Sequence, residues 1–200
     1  MPSLVHELAK TQGDSLYYDS NTPGGHSLEQ HGTNQTSIAK LAQPWDHVIL
    51  QEQSLRAAYL PLNFYQGILK LNGLIHPYSL CENRILFYQT WGRQNNPTFP
   101  YATHQQLTTE RYEDLARFFS TEVAPVGVAW KSIRDDNDPI NLYNSDGSHP
   151  SYAGSYLAAC TFYASIFDKT PVGNSFRGTL DSADAHYLQT KAYDAYLVYK

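Results

Sequence analysis

The sequence predicts an α/β protein in which a parallel sheet is covered by helices on both faces. Three observations predict it. Apolar residues at helical spacing alternate along the chain with short, β-rich apolar runs. Such an alternation buries a parallel sheet between helical layers. The 200 residues contain no internal repeat and no Pro/Gly/Ser linker, so a single domain over residues 1–200 is expected.

The elements follow in order. Pro2 to Gln12 has proline in a first turn, Leu4, Val5, Leu8 and Ala9 along one face, and Gly13 as a stop. Ser15 to Ser20 reads as a short strand and Asn21 to Gly25 as turn chemistry. Asn34 to Ala42 reads as a short helix. His47-Val48-Ile49-Leu50, within Trp45 to Gln51, reads as a buried strand. Leu62 to Leu74 is helical, with Phe64, Ile68, Leu69 and Leu71 as apolar positions. Arg84 to Thr90 is a strand and His104 to Thr121 a long helix. Val123 to Val128 is a short strand interrupted by Pro125 and Gly127. Pro150 to Asp168, with Pro150 at its first position, and Leu180 to Tyr199 are helices. Ligands of parallel sheets bind at the carboxyl ends of the strands. That puts Thr22–Leu28, Gln51–Arg56 and Asn144–Ser151 on one rim.

Composition narrows the function classes. A chain of this length buries an ordinary core without staples. Two cysteines exclude a disulfide framework and a Cys-rich zinc module. Cys160 lies in an apolar helix and reads as an inert thiol. Cys81 lies in a loop, and a bridge between the two stays open. A net charge of -5 argues against nucleic acid as partner. No apolar run approaches ~18 residues, so no membrane span is expected. Met1 to Glu7 shows no secretion-signal pattern. Compartment and oligomeric state are not legible. The histidines at 26, 31, 47, 76, 104 and 186 lack metal-ligand spacing, so neither metal nor cofactor is expected. The 16 Tyr suit sugars or other polar organic ligands, and equally a core in which each hydroxyl finds a partner.

Three segments could carry chemistry. In Asp146-Gly147-Ser148-His149-Pro150, a carboxylate three residues before a histidine can fix the ring's tautomer and stabilise the imidazolium. The same residues also suit a plain helix-capping turn, with Ser148 or His149 as the cap. In Leu50-Gln51-Glu52-Gln53-Ser54, a strand runs into amides that can donate to a developing oxyanion. A self-bonded polar loop is the other reading, with Glu52 as a structural anchor or an acid. In Thr22-Pro23-Gly24-Gly25-His26-Ser27-Leu28, paired glycines allow close backbone approach and a second oxyanion donor, or simply a turn.

Taken together and in this order, Gly24-Gly25-His26-Ser27-Leu28, Trp45-Asp46 with Leu50-Gln51-Glu52-Gln53-Ser54, and Asp146-Gly147-Ser148-His149-Pro150 resemble the SGNH (GDSL-type) hydrolase superfamily. The match is to a bacterial subgroup in which Gln replaces the oxyanion Asn. Pro125-Val126-Gly127 and Gly154 to Cys160 fit that subgroup as well, and the resemblance runs from Pro2 to about residue 175. It implies a three-layer α/β/α, flavodoxin-like fold and hydrolysis of ester bonds without a cofactor. It implies His149 as general base, Asp146 as its orienting partner, and Gly25 and Gln53 as oxyanion donors. Gln51 is the alternative donor. His26, Trp91 and Arg93, with Gln51, are the expected substrate contacts. The implied substrates are small-molecule or carbohydrate esters, O-acyl groups on sugars among them.

The sequence departs from the family in one respect. The family's nucleophilic Ser follows its first, central strand, and Pro2 to Gln12 corresponds to the helix after it. Strand and nucleophile are therefore expected upstream of Met1. Gly13-Asp14-Ser15-Leu16 spells the family's nickname, but it runs helix, turn, strand, whereas a nucleophile turn runs strand, turn, helix. Ser15 is therefore expected at the wrong rim. The competing expectations are an inactive carbohydrate-binding or interaction domain and, more remotely, a metal-dependent hydrolase built on Asp146 and His149.

Overall fold

A computed structural model describes residues 1–75 and 85–200. The chain forms two compact units. One comprises Met1–Tyr18, Trp91–Gln105 and Ala124–Lys200, and the other Asp19–Thr90 and Gln106–Val123.

The second unit carries most of the sheet. Strands β1 (Val48–Leu50), β2 (Ile85–Tyr88) and β3 (Glu122–Ala124) lie in the order β1-β2-β3. β1 and β2 are parallel, with Val48 opposite Ile85 and Leu50 opposite Phe87. β2 is buried along its whole length, as a central strand in a helix-covered sheet must be. β1 was expected to be buried, but only Leu50 is. β1 is one of the two edge strands among the described residues, and Ile49 is 38% exposed. Helices α2 (Leu28–His31), α3 (Gln35–Leu41), α4 (Arg56–Tyr59) and α5 (Pro61–Ile75) belong to this unit. So does most of α6 (Tyr101–Phe119). Phe64, Ile68 and Leu71 of α5 and Tyr112, Leu115 and Ala116 of α6 close over Leu50, Ile85 and Phe87. Apolar positions at i, i+4 and i+7 on α5 give this face.

The first unit is built on helices: α1 (Pro2–Thr11), α7 (Val126–Asp135), α8 (Tyr152–Phe167) and α9 (Ser182–Tyr199). α8 is apolar on nearly every side and packs against α1, α7 and α9. A helix hydrophobic all round belongs in a core. Gly154 lets it approach closely: a Cβ there would stand 2.3 Å from the Leu142 carbonyl and 2.5 Å from the Trp130 ring.

Three further expectations fail for physical reasons. Ser15 to Ser20 forms no strand. No strand of the sheet pairs with it, and Tyr17 and Tyr18 stay exposed. Val123 to Val128 is divided: Glu122–Ala124 pairs into the sheet, and Pro125 caps α7. Val126, Ala129, Trp130 and Ile133 are buried at helical spacing, a period hidden by the glycine and proline beside it. Pro150 is not the first residue of α8. It forms an antiparallel bridge with Tyr143, and Ser151 is the cap, its hydroxyl accepting the Gly154 N–H. Among the described residues, no helix is long and apolar enough to cross a membrane.

Candidate active site

In the first unit the chemistry gathers on the turn before α8. Asp146 Oδ1 accepts the N–H groups of Ser148 (2.8 Å) and His149 (2.9 Å), which closes the turn. Asp146 Oδ2 lies 2.5 Å from His149 Nδ1. A single carboxylate thus makes the turn and holds the ring, while the expected capping by Ser148 or His149 does not occur, since Ser151 caps α8. The His149 contact, then the two N–H groups, hold the Asp146 carboxyl down at about 2. At neutral pH it is an acceptor only, so Nδ1 carries the ring proton and Nε2 of neutral His149 keeps its lone pair. The His149 side chain is 76% exposed.

The turn is braced from beneath. Gly147 has φ +65°, and a Cβ there would stand 3.3 Å from Asn95 Nδ2. Its carbonyl accepts the Gln94 N–H at 2.8 Å. Trp91 Nε1 donates to the Ser148 carbonyl at 3.0 Å. Trp91 is buried and stacks on Trp130 with centroids 3.9 Å apart and planes 6° apart. The next residues are anchored too. Gly92 N–H donates to Gln105 Oε1, Tyr143 Oη donates to the Gly92 carbonyl, and Arg93 N–H donates to Nδ1 of buried His104. An open polar cleft lined by Gln94, Asn95, Phe99 and Tyr101 adjoins this loop. The strand before Trp91 placed the Trp91–Asn96 segment on this rim, but composition and spacing gave no sign of the Trp130 support.

The pH dependence of the turn follows from the depressed carboxyl. A carboxyl with a lowered folded-state pKa adds stability above its ordinary range and loses it as pH falls through the folded value. Asp146 is therefore expected to titrate at about 2 in carboxyl-carbon NMR and to rise only part of the way to the ordinary carboxylate range in His149→Ala, where the two backbone N–H bonds remain. An Asp146 midpoint near 4 in the parent protein would contradict the pairing.

In the second unit, Gly25 has φ +73°, with open space where a Cβ would lie. The left-handed backbone, rather than crowding, calls for glycine there. Gly25 is exposed, and its N–H has no partner among the described residues. Ser27 and Gln30 form a reciprocal capping box that fixes the loop's exit into α2. The His26 ring lies 5.6 Å from that of His31, whose Nδ1 is 2.7 Å from Ser37 Oγ. Burial lowers the His31 pKa.

Gln51 is exposed at the end of β1. Glu52 turns inward and is 0% exposed. Its Oε1 accepts the Gln53 N–H at 2.7 Å, and Arg56 Nε stands 3.6 Å from the same oxygen. Burial raises the Glu52 pKa, against the opposing pull of the Gln53 N–H and Arg56. The Glu52 N–H donates to Tyr112 Oη at 3.0 Å. Tyr112→Phe would leave that N–H without its partner, at a cost of ~1–3 kcal/mol. Urea unfolding should show the loss with an unchanged m-value. A variant as stable as the parent would count against the bond.

Cys160 is buried, and burial pushes its thiol well up, so it is inert. Cys81 and any bridge to it lie outside the described residues. Among the described residues, no group of three acidic, His or Cys side chains could hold a metal ion.

No family model and no curated protein matches the sequence. Two solved structures resemble it. One is a DUF4886 family protein from Bacteroides uniformis, with a TM-score of 0.80 and 20% identity over 96% of this chain and 88% of that one. The other is a candidate SGNH hydrolase from Slackia heliotrinireducens, with a TM-score of 0.66 and 22% identity over 82% of this chain and 91% of that one. The chain has an SGNH-like α/β/α fold, with a small parallel sheet and flanking helices.

Proposed function

We propose that the chain carries the base, its orienting carboxylate and the oxyanion donors of an SGNH-type serine esterase. Its substrates are esters such as O-acyl groups on carbohydrates. The observation that carries this reading is the Asp146–His149 pair, in which a 2.5 Å contact to Nδ1 leaves Nε2 as an exposed base. The nucleophile belongs on a segment preceding Met1, in a strand beside β1. Two features support that placement: β1 is an edge strand, and Ile49 is partly exposed. In the reaction, the serine hydroxyl attacks the acyl carbonyl as its proton passes to His149 Nε2. That proton then leaves with the alcohol, and a water activated by the same ring releases the acid. Gly25 N–H and the Gln53 amide receive the developing oxyanion. The cleft of Gln94, Asn95, Phe99 and Tyr101 offers neutral amides beside rings, which suits the sugar of such an ester.

The deciding experiment is p-nitrophenyl acetate hydrolysis by residues 1–200 and by a form extended through the upstream coding sequence. Turnover confined to the extended form is the expected result. An extended form without turnover would instead favour an inactive carbohydrate-binding domain. Turnover by residues 1–200 that is lost on Ser15→Ala would make Ser15 the nucleophile.

A further inference from the structure

The Gln51–Ser54 loop contains a buried carboxyl that the proposed reaction does not use. Glu52 is fully buried directly after β1, and its carboxyl faces the backbone N–H groups of Gln53 and Leu28. A carboxyl is rarely buried unless it is paired or hydrogen-bonded. What Glu52 holds is Gln53. The Gln53 N–H is tied to Glu52 Oε1 at 2.7 Å. The Gln53 carbonyl accepts the Arg56 N–H at 2.8 Å. Gln53 Oε1 accepts the Leu55 N–H at 2.9 Å. Three of its four polar groups are thereby engaged within the loop. The fourth, the side-chain NH₂, has no partner among the described residues. Because Oε1 is committed to Leu55, the amide cannot flip its oxygen toward a ligand without breaking that bond. Gln51, the other candidate donor, is exposed and has no comparable restraint.

We propose that Glu52 is a positioning residue whose buried carboxyl holds the Gln53 backbone, so that the Gln53 amide N–H is presented as a preorganised oxyanion donor. The assignment rests on the ester-hydrolase reading for its catalytic meaning and on the loop geometry alone for its structural meaning. The charged and titratable groups facing Glu52 are Arg56 on α4, Glu29 on α2 and Tyr112 on α6. Arg56 is shared, since its Nη2 also pairs with Glu29 at 3.0 Å. Glu52→Gln keeps an acceptor for the Gln53 N–H, whereas Glu52→Ala removes it. The pair separates positioning by a hydrogen bond from a need for charge.

The test is amide hydrogen exchange at Gln53, read alongside p-nitrophenyl acetate kinetics of the hydrolytically competent form. Glu52→Ala is expected to speed Gln53 exchange at least about tenfold and to lower kcat by about 10- to 100-fold with KM little changed, since misplacing a catalytic group costs on that order. Glu52→Gln should restore both to near parent values. Unchanged Gln53 exchange in folded Glu52→Ala, or faster exchange with unchanged kcat, overturns the proposal. Should Glu52→Ala not fold, the Gln53 amide chemical shift decides. It should titrate above the ordinary carboxylate range in the parent and stay flat in Glu52→Gln, and equal behaviour in both overturns the proposal. Absence of hydrolysis in every form would remove the esterase reading, while exchange and titration would still judge the role of Glu52.

Discussion

If the proposed esterase reading holds, replacing His149 with alanine in the upstream-extended form is expected to lower its ester hydrolysis by at least about 10⁴-fold while leaving the fold intact. The size of the loss follows from the chemistry. Without the imidazole, no group on this turn takes the hydroxyl proton or returns it to the departing alcohol, and removal of such a member leaves only the residual rate from binding and the oxyanion donors. The survival of the fold follows from exposure, because the side chain is 76% exposed and belongs to no buried cluster. The turn keeps its backbone bonds: Asp146 Oδ1 still accepts the N–H groups of residues 148 and 149. The measurement is kcat on p-nitrophenyl acetate with a thermal melt of the same sample. A rate within tenfold of the parent, in a protein that melts normally, would remove His149 from the reaction.

Gly154→Ala is expected to be strongly damaging, costing more than about 3 kcal/mol. Overpacking usually costs about 1–3 kcal/mol because side chains rotate away. Here the obstacles cannot rotate away. One is a backbone carbonyl, that of Leu142, 2.3 Å from the new carbon. The other is Trp130, which is fully buried and stacked on Trp91. Displacing Trp130 disturbs Trp91 and, through its indole N–H, the Ser148 carbonyl of the active turn. Denaturant unfolding should therefore show a large loss, and surviving folded protein should show reduced turnover. A melt unchanged from the parent would refute the close packing of α8.

The sequence made α1 and α5 legible through their periodic apolar faces and α8 and α9 through long runs without a helix breaker. It hid α7, whose Val126-Gly127 start resembles a strand after Pro125 until Trp130 and Ile133 are counted with it. It suggested a strand at Ser15 to Ser20 because Leu16, Tyr17 and Tyr18 favour one locally. Strands, however, are made by their neighbours, and propensity yields to pairing. At the site, the Asp146–His149 spacing was readable because both residues lie on one turn. Trp91 was expected beside the site as a substrate contact, but its bond to the Ser148 carbonyl and that of Gln94 to Gly147 were not legible, since these partners lie some fifty residues apart in sequence. Glu52 was legible as a structural anchor or an acid, but what it anchors, the Gln53 N–H, was not, because the alternation of a strand says nothing about the loop beyond it.

The stacked indoles have an optical consequence. Two of the protein's three tryptophans, Trp91 and Trp130, share one face-to-face contact. The third, Trp45, gives its N–H to the Lys40 carbonyl. Ultraviolet emission and near-ultraviolet dichroism should thus be governed by the pair beneath residues 146–149. Their signal can follow ligand entry or acid loosening of that segment in the unlabelled protein, with Trp45→Phe clearing the background.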